Sequence, residues 1–460
     1  MSRTLRTVTL GCKVNQYETE LLREGLLRLG YRNAEPDEPA QLCLVNTCTV
    51  TAEGDRKSRK AIRQLHRENP LAEIIVMGCY ATRDPQAVAA LPGVVDVVTD
   101  KGRLPDLLAR LGLADVPRGL SRFGREHRAY VKVQDGCHRK CAFCIIPSVR
   151  PTLSSRPVAD ILAEARQLVA NGYRELVLTG IHLGHYGQGY SQDERASLAP
   201  AATPGLQREN GTFSAGPPHP DPLPEGEGER GLTGLVRRLA ALEGEFRLRL
   251  SSLEAAEVTP ELVGLLAGHP ERICPHLHLS LQSGSDSVLA RMGRRGDSRQ
   301  TLQRCRAIGE ALDLPALTCD IIVGFPGETD AEFQETCRVV EEIGFSKVHV
   351  FRFSPREGTP AATMSDQVPP SIKQKRAKIL MGLADRLRQE YLGRLRGRTV
   401  QVLVEAPSPQ RPELLRGSCD RYLAVELAGP ATWVGRLMWA VVGPAVEDEQ
   451  FALASVPTFC

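Results

Sequence analysis

The chain has 460 residues, of which 42% are hydrophobic and 25% charged, with a formal net charge of +3. This balance excludes a disordered, collagen-like or coiled-coil chain, and no apolar run reaches the roughly eighteen residues that would span a membrane. The length fits about three domains. The charge is too small to announce a nucleic-acid partner by itself. An odd count of 13 cysteines behind a start with no apolar leader argues against a disulfide framework. The expected setting is reducing and cytoplasmic, where thiols are either buried or ligate metal.

Strand and helix signals alternate through the first part of the chain. Strands are expected at Arg6–Leu10, Gln41–Asn46, Glu73–Met77 and Val94–Val98, and helices at Asn15–Leu29, Ala52–Glu68 and Pro85–Leu91. Such alternation with short connections implies a parallel sheet covered by helices on both faces, a three-layer domain over 1–118. From Tyr130–Gln134 onward, strands recur at Glu175–Thr179, Phe246–Ser251, His276–Leu281, Leu317–Val323 and Lys347–Phe353. Helices lie between them at Val158–Asn171, Leu232–Leu242, Pro260–Ala267, Arg299–Leu312 and Ala331–Ile343. Six such units fit a partial (β/α)6 barrel over 119–390 better than a closed eightfold one.

The segment 188–230 breaks this pattern with seven prolines and few large apolar residues. It is expected to be a disordered surface insertion, since it cannot bury enough surface to offset its ordering entropy. Over 371–398, nine lysines and arginines face only Asp385 and Glu390, so the basic charge is concentrated in one stretch. Short strands at Thr399–Val404, Tyr422–Leu427 and Leu437–Val442 then suggest a small, OB-like β-barrel over 391–457.

The strongest chemical signal is Cys137-His-Arg-Lys-Cys141-Ala-Phe-Cys144. Three thiolates on one loop can hold three irons of a 4Fe–4S cluster, leaving the fourth iron open for a small molecule. A structural zinc site would want four ligands in C-x2-C pairs. A second set is dispersed: Cys12, Cys48 and Cys79 each follow a strand of the first domain. In a parallel sheet the carboxyl ends of the strands share one edge, so these thiols would converge there as a second three-cysteine site. Scattered core thiols are the alternative. Of the others, Cys43 and Cys319 lie in apolar strands, Cys305 and Cys337 on helices, and Cys274, Cys419 and Cys460 show no partner.

With these motifs in view, the chain resembles the radical S-adenosylmethionine methylthiotransferase family. The carrying strings are Thr9-Leu-Gly-Cys-Lys-Val-Asn-Gln-Tyr-Glu18, the cysteine loop with Phe143, and Leu178-Thr-Gly-Ile-His-Leu-Gly184. Arg249-Leu-Ser-Ser-Leu-Glu254, His276-Leu-His-Leu-Ser-Leu-Gln-Ser-Gly-Ser-Asp286 and Asp320-Ile-Ile-Val-Gly-Phe-Pro-Gly-Glu-Thr329 complete them. The resemblance covers nearly everything but the insertion. It implies a radical barrel followed by a small barrel of the TRAM type.

Lys13-Val14 is most similar to the subfamily that methylthiolates C2 of N6-threonylcarbamoyladenosine at position 37 of tRNA. Relatives acting on isopentenyladenosine tRNA or on a ribosomal-protein aspartate carry other residues there. A non-catalytic metal-stabilised RNA-binding protein is the reading from a different class.

The resemblance further implies two 4Fe–4S clusters, on Cys137, Cys141 and Cys144 and on Cys12, Cys48 and Cys79. The first would bind S-adenosylmethionine and, given an electron, cleave it to a 5′-deoxyadenosyl radical. The second would deliver sulfur, and a second S-adenosylmethionine the methyl group. The partners implied are the tRNA anticodon stem-loop, a reducing electron donor and a sulfur donor. Phe143, Gly180, Ser252, Glu254, Gln282 and Asp320 are candidates for S-adenosylmethionine contacts, with turn glycines and helix caps as the competing reading. Gly284, Gly324 and Gly327 share that double reading. The basic stretch is the candidate for tRNA phosphates. Where the family has Arg-Gly after the cluster loop, this chain has Arg150-Pro151. Proline fixes φ near −65°, so the turn there must differ and the role of Arg150 stays open.

Overall fold

A computed structural model describes residues 3–124, 127–188, 231–294, 296–443 and 452–455. From residue 189 on, the expected insertion lies outside the described residues, as does Cys460.

The first domain runs β1 (Thr4–Thr9), α1 (Lys13–Arg28), β2 (Arg32–Asn33), β3 (Leu42–Thr47), α2 (Ala52–Glu68), β4 (Glu73–Gly78), α3 (Cys79–Arg83), α4 (Pro85–Ala89), β5 (Val94–Val98) and α5 (Leu104–Arg110). Its sheet has the order β2-β1-β3-β4-β5, and every pair is parallel. The central strand β3 is buried along its whole length, as a strand covered on both faces must be. Leu22 and Leu26 of α1 pack with Leu107 and Leu108 over one face. Ile62 and Leu65 of α2 cover the other. Thr51 caps α2 by accepting the Gly54 amide. The expected three layers are present. The expected helix 85–91 is α4, two residues shorter, and a further short helix, α3, begins at Cys79 directly off β4.

The middle domain contains β6 (Arg128–Asp135), α6 (Ile146–Val149), β7 (Ser154–Ser155), α7 (Val158–Ala170), β8 (Glu175–Gly180), α8 (Leu232–Ala240), β9 (Arg247–Leu250), β10 (Ser252–Leu253) and α9 (Pro260–Gly268). It continues through β11 (His276–Gln282), α10 (Asp286–Arg291), α11 (Ser298–Ala311), β12 (Ala316–Val323), α12 (Asp330–Ile343), β13 (Lys347–Arg352) and α13 (Pro370–Leu395). Two half-barrels, β7-β6-β8-β9 and β10-β11-β12-β13, are joined by a bridge between Leu248 and Ile273. The expected strand 246–251 breaks at Ser251, where the chain exchanges β8 for β11 as its pairing partner. Among the described residues β6 and β13 do not pair, so the barrel is open there.

Beyond α13 a closed barrel forms from β14 (Thr399–Pro407), β15 (Leu414–Cys419), β16 (Ala424–Ala428), β17 (Leu437–Val442) and β18 (Ala452–Ser455), in the order β14-β15-β16-β18-β17. Strands β15 and β18 escaped the sequence reading. The expected strand from Tyr422 begins only at Ala424, because Tyr422 adopts φ 61° in the preceding turn. Helix α13 runs unbroken past residue 390, and Tyr391, Leu392 and Leu395 pack into the core of this last barrel. Among the described residues no helix is long and apolar enough to cross a membrane.

Candidate active site

The cysteine loop leaves β6 through Gly136, whose φ is +76° and whose missing Cβ would stand 2.0 Å from the Thr152 carbonyl oxygen. Only glycine fits this turn. The loop is pinned from both sides: the Ala142 amide donates to Met292 O and the Ala361 amide to Ala142 O, each at 2.8 Å. Phe143 packs against the cluster that contains Met292, Phe325 and Phe353. Cys137, Cys141 and Cys144 are all free thiols.

Cys137 Sγ lies 3.7 Å from His182 Nδ1 and accepts the Arg139 amide at 3.4 Å. Burial pushes the Cys137 thiol up, but these two bonds outweigh it and hold the thiol below its ordinary value. Burial raises Cys141, and it raises Cys144 to about 11. His182 in turn meets Glu257 at 2.5 Å. Against burial, its bonds to Cys137 and Glu257 raise it to about 9. His185 stacks on it at 3.8 Å, and burial and the His182 charge lower it to about 4.

The dispersed thiols do converge. Cys12 follows β1 and caps α1, Cys48 follows β3, and Cys79 follows β4. A Cβ on Gly11 would stand 3.2 Å from Cys48 Sγ. The buried Asn15 ties these ends together: its Nδ2 donates to Leu10 O at 2.8 Å and Thr47 O at 3.1 Å, while Cys12 Sγ faces its Oδ1 at 3.8 Å. Burial raises both Cys12 and Cys48, and the nearby Cys79 adds to each shift.

Arg150 completes the arrangement. It is 3% exposed. Its Nε donates to Cys79 Sγ at 3.4 Å, and its remaining nitrogens donate to Glu18 and Asp135 at 2.8 Å and to Asn15 Oδ1 at 2.9 Å. The Pro151 departure therefore leaves Arg150 at a junction between the first domain and β6.

A cavity of about 930 Å³ opens where the three domains meet. Cys12 and Lys13 line it from the first domain, Arg421 and Tyr422 from the last, and strand residues of the barrel supply the rest. Cys12 is accessible, but to this cavity. Gly180, Ser252 and Asp320 line it as well. His278, Asp320 and His349, on three successive strands, bring their ligand-type atoms within 4.8 Å of one another. Thr318 holds His278 Nδ1 at 2.9 Å, and His278 Nε2 lies 3.3 Å from Asp320 Oδ2. Burial pushes the ammonium of Lys13 below its ordinary pKa, with help from the Arg249 and Arg128 charges.

The other candidates sit elsewhere. Glu254 is buried and engaged by Arg139 at 2.7 Å and Arg294 at 3.1 Å, so it braces the cysteine loop, and it caps the turn Ala255–Glu257. Gln282 ends β11 beyond a bulge with φ 69°. Among the glycines, a Cβ on Gly284 would meet Thr336 Cα at 2.8 Å and one on Gly324 would meet Lys373 Cγ at 2.3 Å. Both therefore serve helix packing. A Cβ on Gly180 would meet Gln134 Oε1 at 2.9 Å.

The model of the uncharacterized protein family UPF0004 matches residues 4–100, and that of the radical SAM superfamily residues 131–340. The threonylcarbamoyladenosine tRNA methylthiotransferase MtaB of Bacillus subtilis (strain 168) is 35% identical over 450 residues, covering 94% of this chain and 91% of that protein. This chain belongs to the MtaB-type methylthiotransferase family.

A tRNA-2-methylthio-N(6)-dimethylallyladenosine synthase of Corynebacterium diphtheriae is 34% identical over 423 residues, covering 88% of this chain and 76% of that one. Among solved structures, the radical S-adenosylmethionine methyltransferase TsrM from Kitasatospora setae superposes with a TM-score of 0.52 at 15% identity, over 78% of this chain and 75% of that one. That likeness concerns the fold. Membership in the radical SAM superfamily implies an iron–sulfur cluster and S-adenosylmethionine.

Buried arginines join the three domains of this methylthiotransferase. Arg356 donates to Thr49 and pairs with Asp55 at 2.7 Å. Arg247 pairs with Glu175 and donates to the Gln401 and Ser418 carbonyls. Arg249 pairs with the same Glu175 and donates to the Cys419 and Asp420 carbonyls. Sequence reading missed these roles. The one available signal was arginine inside apolar strand strings, as in Arg247-Leu-Arg-Leu250.

Of the nine basic residues in 371–398, the fold engages several. Lys373 lies over the Phe353 ring, Arg376 pairs with Glu328 and Asp330, Arg386 with Glu341 and Glu390, and Arg398 with Asp313. Lys375, Lys378, Arg394 and Arg396 remain exposed. The surface available for phosphates is thus smaller than the sequence suggested.

Proposed function

We propose that this enzyme methylthiolates C2 of N6-threonylcarbamoyladenosine at position 37 of tRNA, using two three-cysteine iron–sulfur sites. One observation supports the reading: Cys79 lies close enough to act on both Cys12 and Cys48, which follow two other strands, and Cys12 lines the cavity bounded by all three domains. The donor sets fit the groups. Each offers three thiols, and each has a cation against one sulfur, His182 at Cys137 and Arg150 at Cys79. At Cys137 the His182 contact favours the thiolate that iron requires.

Cys137, Cys141 and Cys144 would hold one cluster, and Cys12, Cys48 and Cys79 the other. With S-adenosylmethionine bound, the first supplies the 5′-deoxyadenosyl radical that takes hydrogen from the adenine. The chain's own part is placement. Glu254 braces the loop through Arg139 and Arg294. Gly180, Ser252, Gln282 and Asp320 are the proposed cofactor contacts, and Phe143 anchors the cysteine loop against Met292, Phe325 and Phe353. The exposed cations of α13 and the last barrel take the anticodon stem-loop. The domains are assigned as 1–118, 119–390 and 391–457. An external electron donor and sulfur donor complete the reaction, and the proposed location is the cytoplasm.

Anaerobic reconstitution tests this reading. About eight irons per chain are expected for two 4Fe–4S clusters, falling by half in Cys12→Ala while S-adenosylmethionine cleavage persists. A single zinc, or a Cys12→Ala variant that keeps all its iron, overturns it. For the substrate, tRNA nucleosides of a deletion strain should lack the methylthio-threonylcarbamoyl product.

A further inference from the structure

Lys13 is the first residue of α1, adjacent to Cys12, and it lines the cavity. Among the described residues no carboxylate pairs with its ammonium. Its Nζ lies over the Tyr422 ring, 6.0 Å from the centroid. Glu175, the carboxylate whose charge acts on Lys13, is already shared by Arg128 at 2.6 Å, Arg247 at 2.6 Å and Arg249 at 2.9 Å. Lys347 adds further positive charge to the cavity wall, where Asp320 is the lining carboxylate and faces His278, while the lining Arg421 is paired with Asp420 at 2.9 Å. A partly buried ammonium set among cations costs free energy until an anion arrives. The cavity is therefore built to receive a negative group. Its volume suits a modified nucleoside.

We propose that Lys13 is a specificity-determining residue that pairs with the free carboxylate of the threonylcarbamoyl group. This rests on the function proposed above. Threonine attached through its amino nitrogen keeps a carboxylate at the end of the modification, whereas a dimethylallyl group is apolar. A relative named for the dimethylallyl substrate is nearly as similar in sequence, at 34% against 35% identity. A cation left unpaired in the cavity is the group that can discriminate between a charged and an apolar modification, because a neutral ligand would leave that charge desolvated.

The test compares two anticodon stem-loops on the reconstituted holoenzyme. One carries threonylcarbamoyladenosine, and the other its threoninamide, in which the carboxylate is a neutral amide. Dissociation constants and methylthiolation rates are measured for both. The wild type is expected to prefer the acid by roughly tenfold or more. Lys13→Gln should bring that ratio close to one, and Lys13→Arg should restore most of it. Iron content should stay unchanged in both variants, which shows that the Cys12 site survives them.

A wild-type ratio near one overturns the proposal and needs no substitution. So does an undiminished preference in Lys13→Gln, or an effect of that variant confined to S-adenosylmethionine affinity, which would assign the ammonium to the methionine carboxylate. Failure of the wild type to modify either RNA would instead count against the proposed function.

Discussion

The guanidinium Nε of Arg150 donates to Cys79 Sγ at 3.4 Å across 71 residues of sequence. The same group reaches Glu18 in α1 and Asp135 in β6. One side chain thus sets a positive charge against a thiol of the first domain and fastens that domain to the barrel.

Removing Arg150 should separate the two domains energetically. Arg150→Met leaves the buried Glu18 beside the half-buried Asp135 with only Lys132 to balance them. Breaking a buried ion pair by deleting one partner costs about 3–5 kcal/mol. Urea unfolding should show a loss of that order. Arg150→Lys should recover little, because one ammonium cannot replace a fork that serves four partners.

The same cluster sets an acid limit. Burial pushes Glu18 and Asp135 up, but the Arg150 and Lys132 charges outweigh it and hold both below the ordinary carboxylate range. A depressed folded-state pKa contributes stability that is complete above the unfolded value of about 4 and is lost as pH falls through the folded value. The urea midpoint should therefore hold from neutral pH down to about pH 5 and fall below about pH 4. In Arg150→Met the fall should be shallower, because the depression that produces it is smaller. Equal profiles for the two proteins would count against this account.

Glu175 anchors the last barrel. It is completely buried and shared by three guanidiniums, two of which hold the Gln401, Ser418, Cys419 and Asp420 carbonyls. Glu175→Gln strips the countercharge from Arg247 and Arg249, at a cost of about 3–5 kcal/mol. Limited proteolysis should then release the C-terminal barrel. Binding of tRNA should weaken while iron content stays at the wild-type level.

The exposed cations of α13 and the residues just after it should act through phosphates alone. Replacing Lys375, Lys378, Arg394 and Arg396 together by Gln should weaken tRNA binding and lower the slope of log affinity against log salt. Each lost phosphate contact is worth about 0.7–0.9 of that slope. Thermal stability should hardly change, since exposed charges contribute little to it. An unchanged slope would place the RNA on another face.

What the sequence determined is local. Helix α2 at Ala52–Glu68 and strand β5 at Val94–Val98 match the periodic pattern residue for residue, because periodicity within one element follows from which face that element buries. The cysteine loop was legible for the same reason: its three thiols lie within eight residues. The second set was legible only as three strand ends, and parallel pairing brings such ends to one edge.

The tertiary structure decided which charge meets which. Arg150 and Glu18 are 132 residues apart, and Arg247 and Ser418 are 171 apart, so no window of sequence contains both partners. That distance is why Glu254 meets Arg139 and Arg294, why much of the basic stretch is engaged in pairs, and why, among the described residues, Lys13 stands without a carboxylate. A residue type states the charge that a position carries. Only the folded chain determines whether that charge is already balanced, and an unbalanced charge is what a ligand can use.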